Sequence, residues 1–297
     1  MSQTTSFGTI AANTGVGLAA WMERVPTRAD RAAENWDAKS VHDLRVALRR
    51  CRAMAEALSE VNPDSGWRKI KKSTRPLFHA LGRLRDTQVE REWVKKLAPP
   101  REPLRSHLLR VLSRREKAQQ ENARDALDDF SAKEWKRLSR KLERKAELFP
   151  LESIVFQRVA VARLQQASEL LSRARKRRSA SAWHRARIGL KHFRYVAENF
   201  LPRKYEPWAA DVKRLQDLLG EVHDLDVLRA DLRRSGTELP SGSIATWLDK
   251  IEAERKVRIA EILAKTTGEG SLLHKWQSGL EIAHMISAAP QLTRRSA

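Results

Sequence analysis

Apolar positions recur every three to four residues through almost the whole of this chain, with polar positions filling the turns between them, and that period belongs to helices. It predicts helices over residues 9–23, 41–58, 67–97, 102–130, 132–148, 154–171, 182–200, 208–232, 243–265 and 271–287, with a further turn or two over 30–36. Proline and turn-forming residues mark the breaks at Pro26, at Asn62-Pro63-Asp64-Ser65-Gly66, at Pro99-Pro100, at Pro150, at Pro202 and at Pro240-Ser241-Gly242. Pro76 is expected to kink the helix over 67–97 without ending it, and Ser40 is placed to cap the helix that follows it. No segment alternates with the period of two that a half-buried strand requires, so the predicted fold class is all-α.

The helix over residues 41–58 has two opposed faces. At about 100° per residue, His42, Arg45, Arg49, Arg52 and Glu56 share a stripe roughly 80° wide. Opposite them lie Leu44, Ala47, Leu48, Cys51, Met54, Ala55 and Leu58, a face fit to pack on other helices. The same arrangement returns as His184, Arg187, Lys191, Arg194 and Glu198, backed by Ala186, Leu190, Phe193, Val196 and Ala197. Five positions of defined type kept in phase twice give a duplicated H-x-x-R-x-x-x-(R/K)-x-x-R-x-x-x-E, which reads as an internal repeat.

A second pair of segments supports the duplication. Residues 81–89 and 219–227 both read L-G-x-(L/V)-x-D-x-(Q/D)-V, and the same register sets Lys213 against Arg75 and His223 against Arg85. A mid-helix glycine costs about 1 kcal/mol relative to alanine, so Gly82 and Gly220 are expected at close helix crossings. A second basic stripe, Arg68, Lys72, Arg75, His79 and Arg83, follows the helix over 67–97, and Arg173, Arg175, Lys176, Arg177 and Arg178 crowd the end of another. The halves divide at about residue 150, the first over 8–150 and the second over 151–288.

Charge narrows the partners. The 297 residues hold 58 Lys and Arg against 37 Asp and Glu, a formal net charge of +21, which favours a polyanion. Cys51 is the only cysteine and lies on an apolar face, which excludes a disulfide framework and a multi-thiolate metal site. The start of the chain lacks the Lys or Arg of a secretory signal, and no stretch has the length and apolarity of a spanning helix. The expected location is the cytoplasm.

The segments 41–52 and 184–194, with the two L-G-x-x-x-D segments, resemble the CHAD family, the helical domain named for its histidines, over about residues 8–288. The resemblance implies two similar helical bundles of long antiparallel helices, related by a pseudo-two-fold axis, around a central basic groove. It also implies that the groove binds inorganic polyphosphate, without a chemical step and without a cofactor. On the motif positions it implies a site of His42, Arg45, Arg49 and Arg52 from the first segment and His184, Arg187, Lys191 and Arg194 from the second, to which the neighbouring Arg50 and His192 are added as candidates. Lys72, Arg75, His79 and Arg85, with Lys213 and His223, extend the expected site along the flanking helices. Lys191 in place of arginine keeps the charge, whereas His223 opposite Arg85 makes its contribution depend on pH.

The chemistry of these residues suits a phosphate polymer. Arginine holds a permanent charge and a planar fork of donors for phosphate oxygens, and lysine adds a mobile point charge. Glu56 and Glu198, one turn beyond Arg52 and Arg194, are expected to hold those arginines in place, and Asp86 and Asp224 to orient basic neighbours. His42 with Asp43 and His223 with Asp224 are sequence neighbours that point about 100° apart, so they do not form catalytic pairs. No P-loop, H-E-x-x-H or paired-carboxylate metal pattern occurs, and the chain reads as a binding protein with no metal site. Two alternatives stand beside polyphosphate: nucleic-acid backbone, which lacks here the expected base-stacking platform, and an acidic protein served by a helical adaptor.

Overall fold

A computed structural model describes residues 17–234 and 241–280. Among them all regular structure is helical. The helices are α1 (Leu18–Asn35), α2 (Ala38–Val61), α3 (Ser65–Ser73), α4 (Arg75–Leu97), α5 (Pro103–Asp128), α6 (Ala132–Ala146), α7 (Ile154–Arg177), α8 (Ala180–Phe200), α9 (Pro202–Tyr205), α10 (Ala209–Arg234), α11 (Ser241–Thr266) and α12 (Leu272–Gly279), with a 3-10 turn at Glu206–Trp208. The expected helix segments over 9–16 and 281–287 lie outside the described residues.

Short connections make neighbours antiparallel, and the packing follows them: α1 on α2, α4 on α5, α7 on α8 and α10 on α11. Across these pairs, α2 packs on α4, α8 on α10, α2 on α8 and α4 on α10. The four helices that carry the repeated segments therefore touch one another at the centre. Their apolar faces supply the core: Leu44, Leu48, Cys51, Met54, Leu190 and Phe193 are fully buried in one cluster to which both halves contribute. A second cluster joins Trp93 and Val94 of α4 and Leu108 of α5 to Leu228 of α10 and Trp247 of α11. These burials leave the opposite, basic faces of α2 and α8 free to serve something else.

Several boundaries differ from the sequence expectation, each for a physical reason. Pro26 lies inside α1 instead of breaking it. Proline removes the N–H that would bond the carbonyl four residues earlier. That carbonyl, on Met22, instead accepts a 2.9 Å hydrogen bond from the buried indole Nε1 of Trp135, on α6. Pro76, by contrast, ends up in the first turn of α4, where its missing N–H costs nothing, and the chain breaks at Thr74. The cap of α2 is Asp37, whose Oδ1 accepts from the backbone N–H groups of Lys39 and Ser40 at 2.7 Å each; Ser40 is already inside the helix.

The glycine expectation also needs correction. Among the described residues nothing lies within 4 Å of where a Cβ on Gly220 would stand, and what lies against Gly82 is the guanidinium of Arg45, 3.7 Å from the corresponding point. The close helix crossing is at Gly189, where an added Cβ would stand 2.8 Å from Leu170 Cδ1 and 3.3 Å from Ala167 Cα. Gly189 thus lets α7 and α8 approach, whereas Gly82 leaves α4 bare beneath an arginine.

Candidate functional site

The repeated helices divide their cations into two groups. Arg50, Arg52 and Arg194 are bound within the protein. Arg50 donates to Glu198 Oε1 at 2.7 Å and lies over the Trp21 ring at 4.4 Å. Arg52 donates to the carbonyl of Lys71 at 2.6 Å and to Thr74 Oγ1 at 2.9 Å, closing the end of α3. Arg194 donates to Glu198 Oε2 at 3.1 Å and to Gln216 Oε1 at 2.7 Å. Glu198 therefore holds arginines as expected, from both repeats at once, whereas Glu56 accepts from Lys71 at 3.1 Å and leaves Arg52 to the backbone.

Arg45 and Arg49 of α2 and Arg187 and Lys191 of α8 form the other group. Among the described residues none of the four makes a hydrogen bond or an ion pair within 4 Å. The Nε atoms of Arg45, Arg49 and Arg187 are buried without a partner. Aromatic faces steady two of them: Arg45 stands 5.5 Å from the Phe78 ring and Arg49 5.7 Å from the Tyr195 ring. Burial, followed by repulsion from Arg49, lowers the pKa of Arg45. Burial also lowers that of Arg187, and holds Lys191 well below the usual lysine range, with Arg187, Arg49 and Arg45 adding to the effect. Four like charges from two helices thus converge in one place with nothing of opposite sign in contact.

The seam between the packed helices α2 and α8 forms the recess that holds these charges, with His42 and Asp86 exposed to solvent at it. His184 and His223 meet with their Nδ1 atoms 3.2 Å apart. Burial, then repulsion from Arg187, depresses His223 to about 3 and also lowers His184, so this pair is neutral in the free protein. Burial pushes Asp224 up to about 6 against the pull of Arg187, and Asp86 likewise rises above the usual carboxylate range. Neither aspartate touches a cation among the described residues, so any orienting of their basic neighbours acts at longer range.

The remaining expected residues lie around this centre. Lys72, Arg75 and His79 are exposed along α3 and α4, and Arg85 reaches Glu92 at 3.5 Å. Lys213 pairs with Asp217 at 2.6 Å, one turn along α10. His192 is half-buried, and the charges it senses are Glu56, Arg163 and Lys71 as well as Lys191 of the recess. Arg173 is exposed on α7, in reach of Glu169 at 3.5 Å. Tyr195 is a recess residue that the motif did not mark: it is 5% exposed, and its hydroxyl has no partner. Its place one turn beyond Lys191 and two beyond Arg187 carried the signal, but Ala53 holds the matching position in α2, so the repeat did not show it. No cluster of three or more metal-ligating side chains occurs among the described residues.

A family model of the CHAD domain matches residues 18–233, which include all four central helices. The chain belongs to the CHAD family. Among solved structures, the crystal structure of the CHAD domain from the plant Ricinus communis aligns with a TM-score of 0.54 and 21% identity, covering 89% of each chain. At that identity the likeness concerns the CHAD fold. A search of curated proteins gave no match. The arginines and lysine that this CHAD chain leaves without partners all come from the duplicated segments, within the matched residues.

Proposed function

We propose that the recess between α2 and α8 binds inorganic polyphosphate, and that the protein is a binding module without a chemical step. The observation that carries this reading is the set Arg45, Arg49, Arg187 and Lys191, half-buried, mutually repelling and without an acceptor among the described residues, three of them with a buried, unsatisfied Nε. A buried donor left unsatisfied costs about 1–3 kcal/mol, so the fold gives up stability to keep these groups free. An anion with many oxygens and no apolar surface offsets that cost, because every donor gains a charge-assisted bond. The span from His42 to Arg52 is roughly 15 Å of helix, which addresses several consecutive phosphates. His42 and His184 stand beside the four cations and supply donors in either protonation state.

The outlying Lys72, Arg75, His79 and Arg85, with Lys213, extend the positive field without forming the centre. Direct contacts by Arg50, Arg52 and Arg194 would require them to leave internal partners, so their part is to brace the helices. Polyphosphates of defined length, measured beside pyrophosphate, DNA and RNA in matched salt, test the reading. Affinity is expected to grow with polyphosphate length, to fall steeply with salt and to exceed that for DNA and RNA of equal charge. Equal affinity for all polyanions would reduce the site to net charge, and tighter binding of DNA or RNA would assign it to a nucleic-acid backbone.

A further inference from the structure

Asp86 lies one turn along α4 from Gly82, against which the Arg45 guanidinium rests at 3.7 Å, and Asp224 adjoins His223, whose ring meets His184 of α8 at 3.2 Å, yet among the described residues the fold does not use either carboxyl group. They come from α4 and α10, which pack against each other, and neither makes a hydrogen bond or a 4 Å ion pair among the described residues. The cations they sense are Arg45 of α2, Arg187 and Lys191 of α8, and Arg85 of α4. His223 stands beside Asp224 on α10, and Asp86 itself adds a repulsive charge to Asp224. Cations on other packed helices are already taken. Arg115 of α5 is held by Glu90 at 3.1 Å and Asp231 at 2.7 Å, Arg255 of α11 by Asp226 at 2.9 Å, and Lys71 of α3 by Glu56 at 3.1 Å.

Two carboxylates in a polyanion site are a contradiction as long as they are ionised. Each would repel phosphate oxygens at short range, in a place where low polarity strengthens the repulsion. As neutral acids they change sign in function, since a protonated carboxyl is a hydrogen-bond donor and a carboxylate only an acceptor. Burial has already brought Asp224 to about 6, within reach of protonation near neutrality, and has raised Asp86 in the same direction. A phosphate chain entering the recess adds about one negative charge per phosphate and raises both further.

We propose that Asp86 and Asp224 are ligand-binding residues that act as neutral acids: as the polyanion enters, each takes up and keeps a proton from the solvent, and its O–H donates a hydrogen bond to a phosphate oxygen. This rests on the polyphosphate reading of the same recess. It makes binding proton-coupled, with affinity rising as pH falls between the bound and free titration points of the two carboxyls. A ligand-induced rise of about two pKa units gives about a tenfold gain in affinity from pH 9 to pH 7 for one carboxyl that titrates near 6 when free.

The experiment is calorimetric titration of the full chain with long-chain sodium polyphosphate, in which internal phosphates far outnumber the titrating ends. Repeating it at pH 7 in buffers of different ionisation enthalpy counts the protons taken up. Wild type is compared with Asp86→Asn/Asp224→Asn, which keeps shape and a donor but cannot titrate. The expected result is that wild type takes up about one to two protons more than the variant, and that the variant binds more tightly than wild type at pH 9 with a flatter pH profile. The histidines are common to both proteins and cancel in the difference. Equal proton uptake in the two proteins, or none in wild type, overturns the proposal while leaving polyphosphate binding in place. Absence of polyphosphate binding at every pH overturns both readings. If the double variant loses its helical spectrum, Asp86→Asn and Asp224→Asn are measured singly, and a wild type without proton uptake still decides against the proposal.

Discussion

Replacing Arg45 and Arg187 together by methionine should weaken polyphosphate binding strongly and leave the fold as stable as before or more so. Methionine keeps a long, flexible apolar stem and removes the guanidinium. Both side chains have buried Nε donors without partners, and both repel the cations around them. Removing an unsatisfied buried donor recovers about 1–3 kcal/mol. Against this, Arg45 gives up its contact with the Phe78 ring at 5.5 Å, worth about 0.5–2 kcal/mol. The net change lies between about zero and a few kcal/mol in favour of folding, and each kcal/mol moves Tm by roughly 2–4 °C in a protein of this size.

Binding responds in the opposite direction. Two charge-assisted contacts at about 1.5–3 kcal/mol each amount to about 3–6 kcal/mol, or roughly 10²- to 10⁴-fold in Kd. The control is Arg137→Met/Arg140→Met on α6, which removes the same charge from exposed positions outside the repeated helices. It should cost only the modest share expected of a weaker long-range field. Thermal melts followed by circular dichroism and titration at physiological salt read both quantities. A drop of several degrees in the recess variant would show that these arginines stabilise the fold, and equal losses of affinity in the two variants would show that net charge alone binds the ligand.

Three further outcomes follow from the packing. Trp135→Phe should cost about 1–3 kcal/mol by leaving the Met22 carbonyl unpaired, and most of that cost should vanish in a Pro26→Ala background, where the backbone N–H returns; chemical denaturation of the four proteins reads the coupling. Gly189→Ala should destabilise by about 1–3 kcal/mol because its methyl meets Leu170 and Ala167, whereas Gly220→Ala, with open space around it, should stabilise by about 0.5–1 kcal/mol in the same denaturation assay. Arg52→Ala should lower Tm by freeing the Lys71 carbonyl and Thr74, and should weaken polyphosphate binding far less than Arg45→Met measured in the same titration.

Helix periodicity reaches the chain's architecture because packing on one face repeats every turn, and the apolar residues read from residues 41–58 are the ones buried in α2. Proline was harder to read, since its cost depends on what happens to the carbonyl it frees. At Pro26 the answer was Trp135, which is remote in sequence, and no local pattern announces that an indole will arrive. At Pro76 a kink was expected and a new helix begins instead, because a proline in a first turn removes a donor that has no partner anyway. The two glycines of the repeated segment looked alike in sequence and differ in space for a similar reason: a long arginine from another helix fills the place beside one of them and leaves the other open.

The same remoteness decides which cations are available to a ligand. Arg45, Arg49 and Arg52 are indistinguishable as members of a helical stripe, and Arg187 and Arg194 likewise. What separates them is whether a distant acceptor reaches them: the end of α3 takes Arg52, Gln216 of α10 takes Arg194, and nothing among the described residues takes the others. Glu198 shows how economical the division is, because one carboxylate holds Arg50 from the first repeat and Arg194 from the second. That link ties α2 to α8, the two helices whose remaining cations would otherwise drive each other apart. The bound arginines thus hold the unbound ones together, and loss of the Glu198 charge should loosen the approach of α2 to α8 even though Glu198 itself makes no contact with the recess. Glu198→Gln keeps the shape and removes the charge, so it tests this directly. Stability should fall by about 1–3 kcal/mol per arginine left poorly compensated, and should recover when polyphosphate neutralises the recess. A variant as stable as wild type, or one that the polyanion does not rescue, would mean that apolar packing alone sets the distance between the two helices.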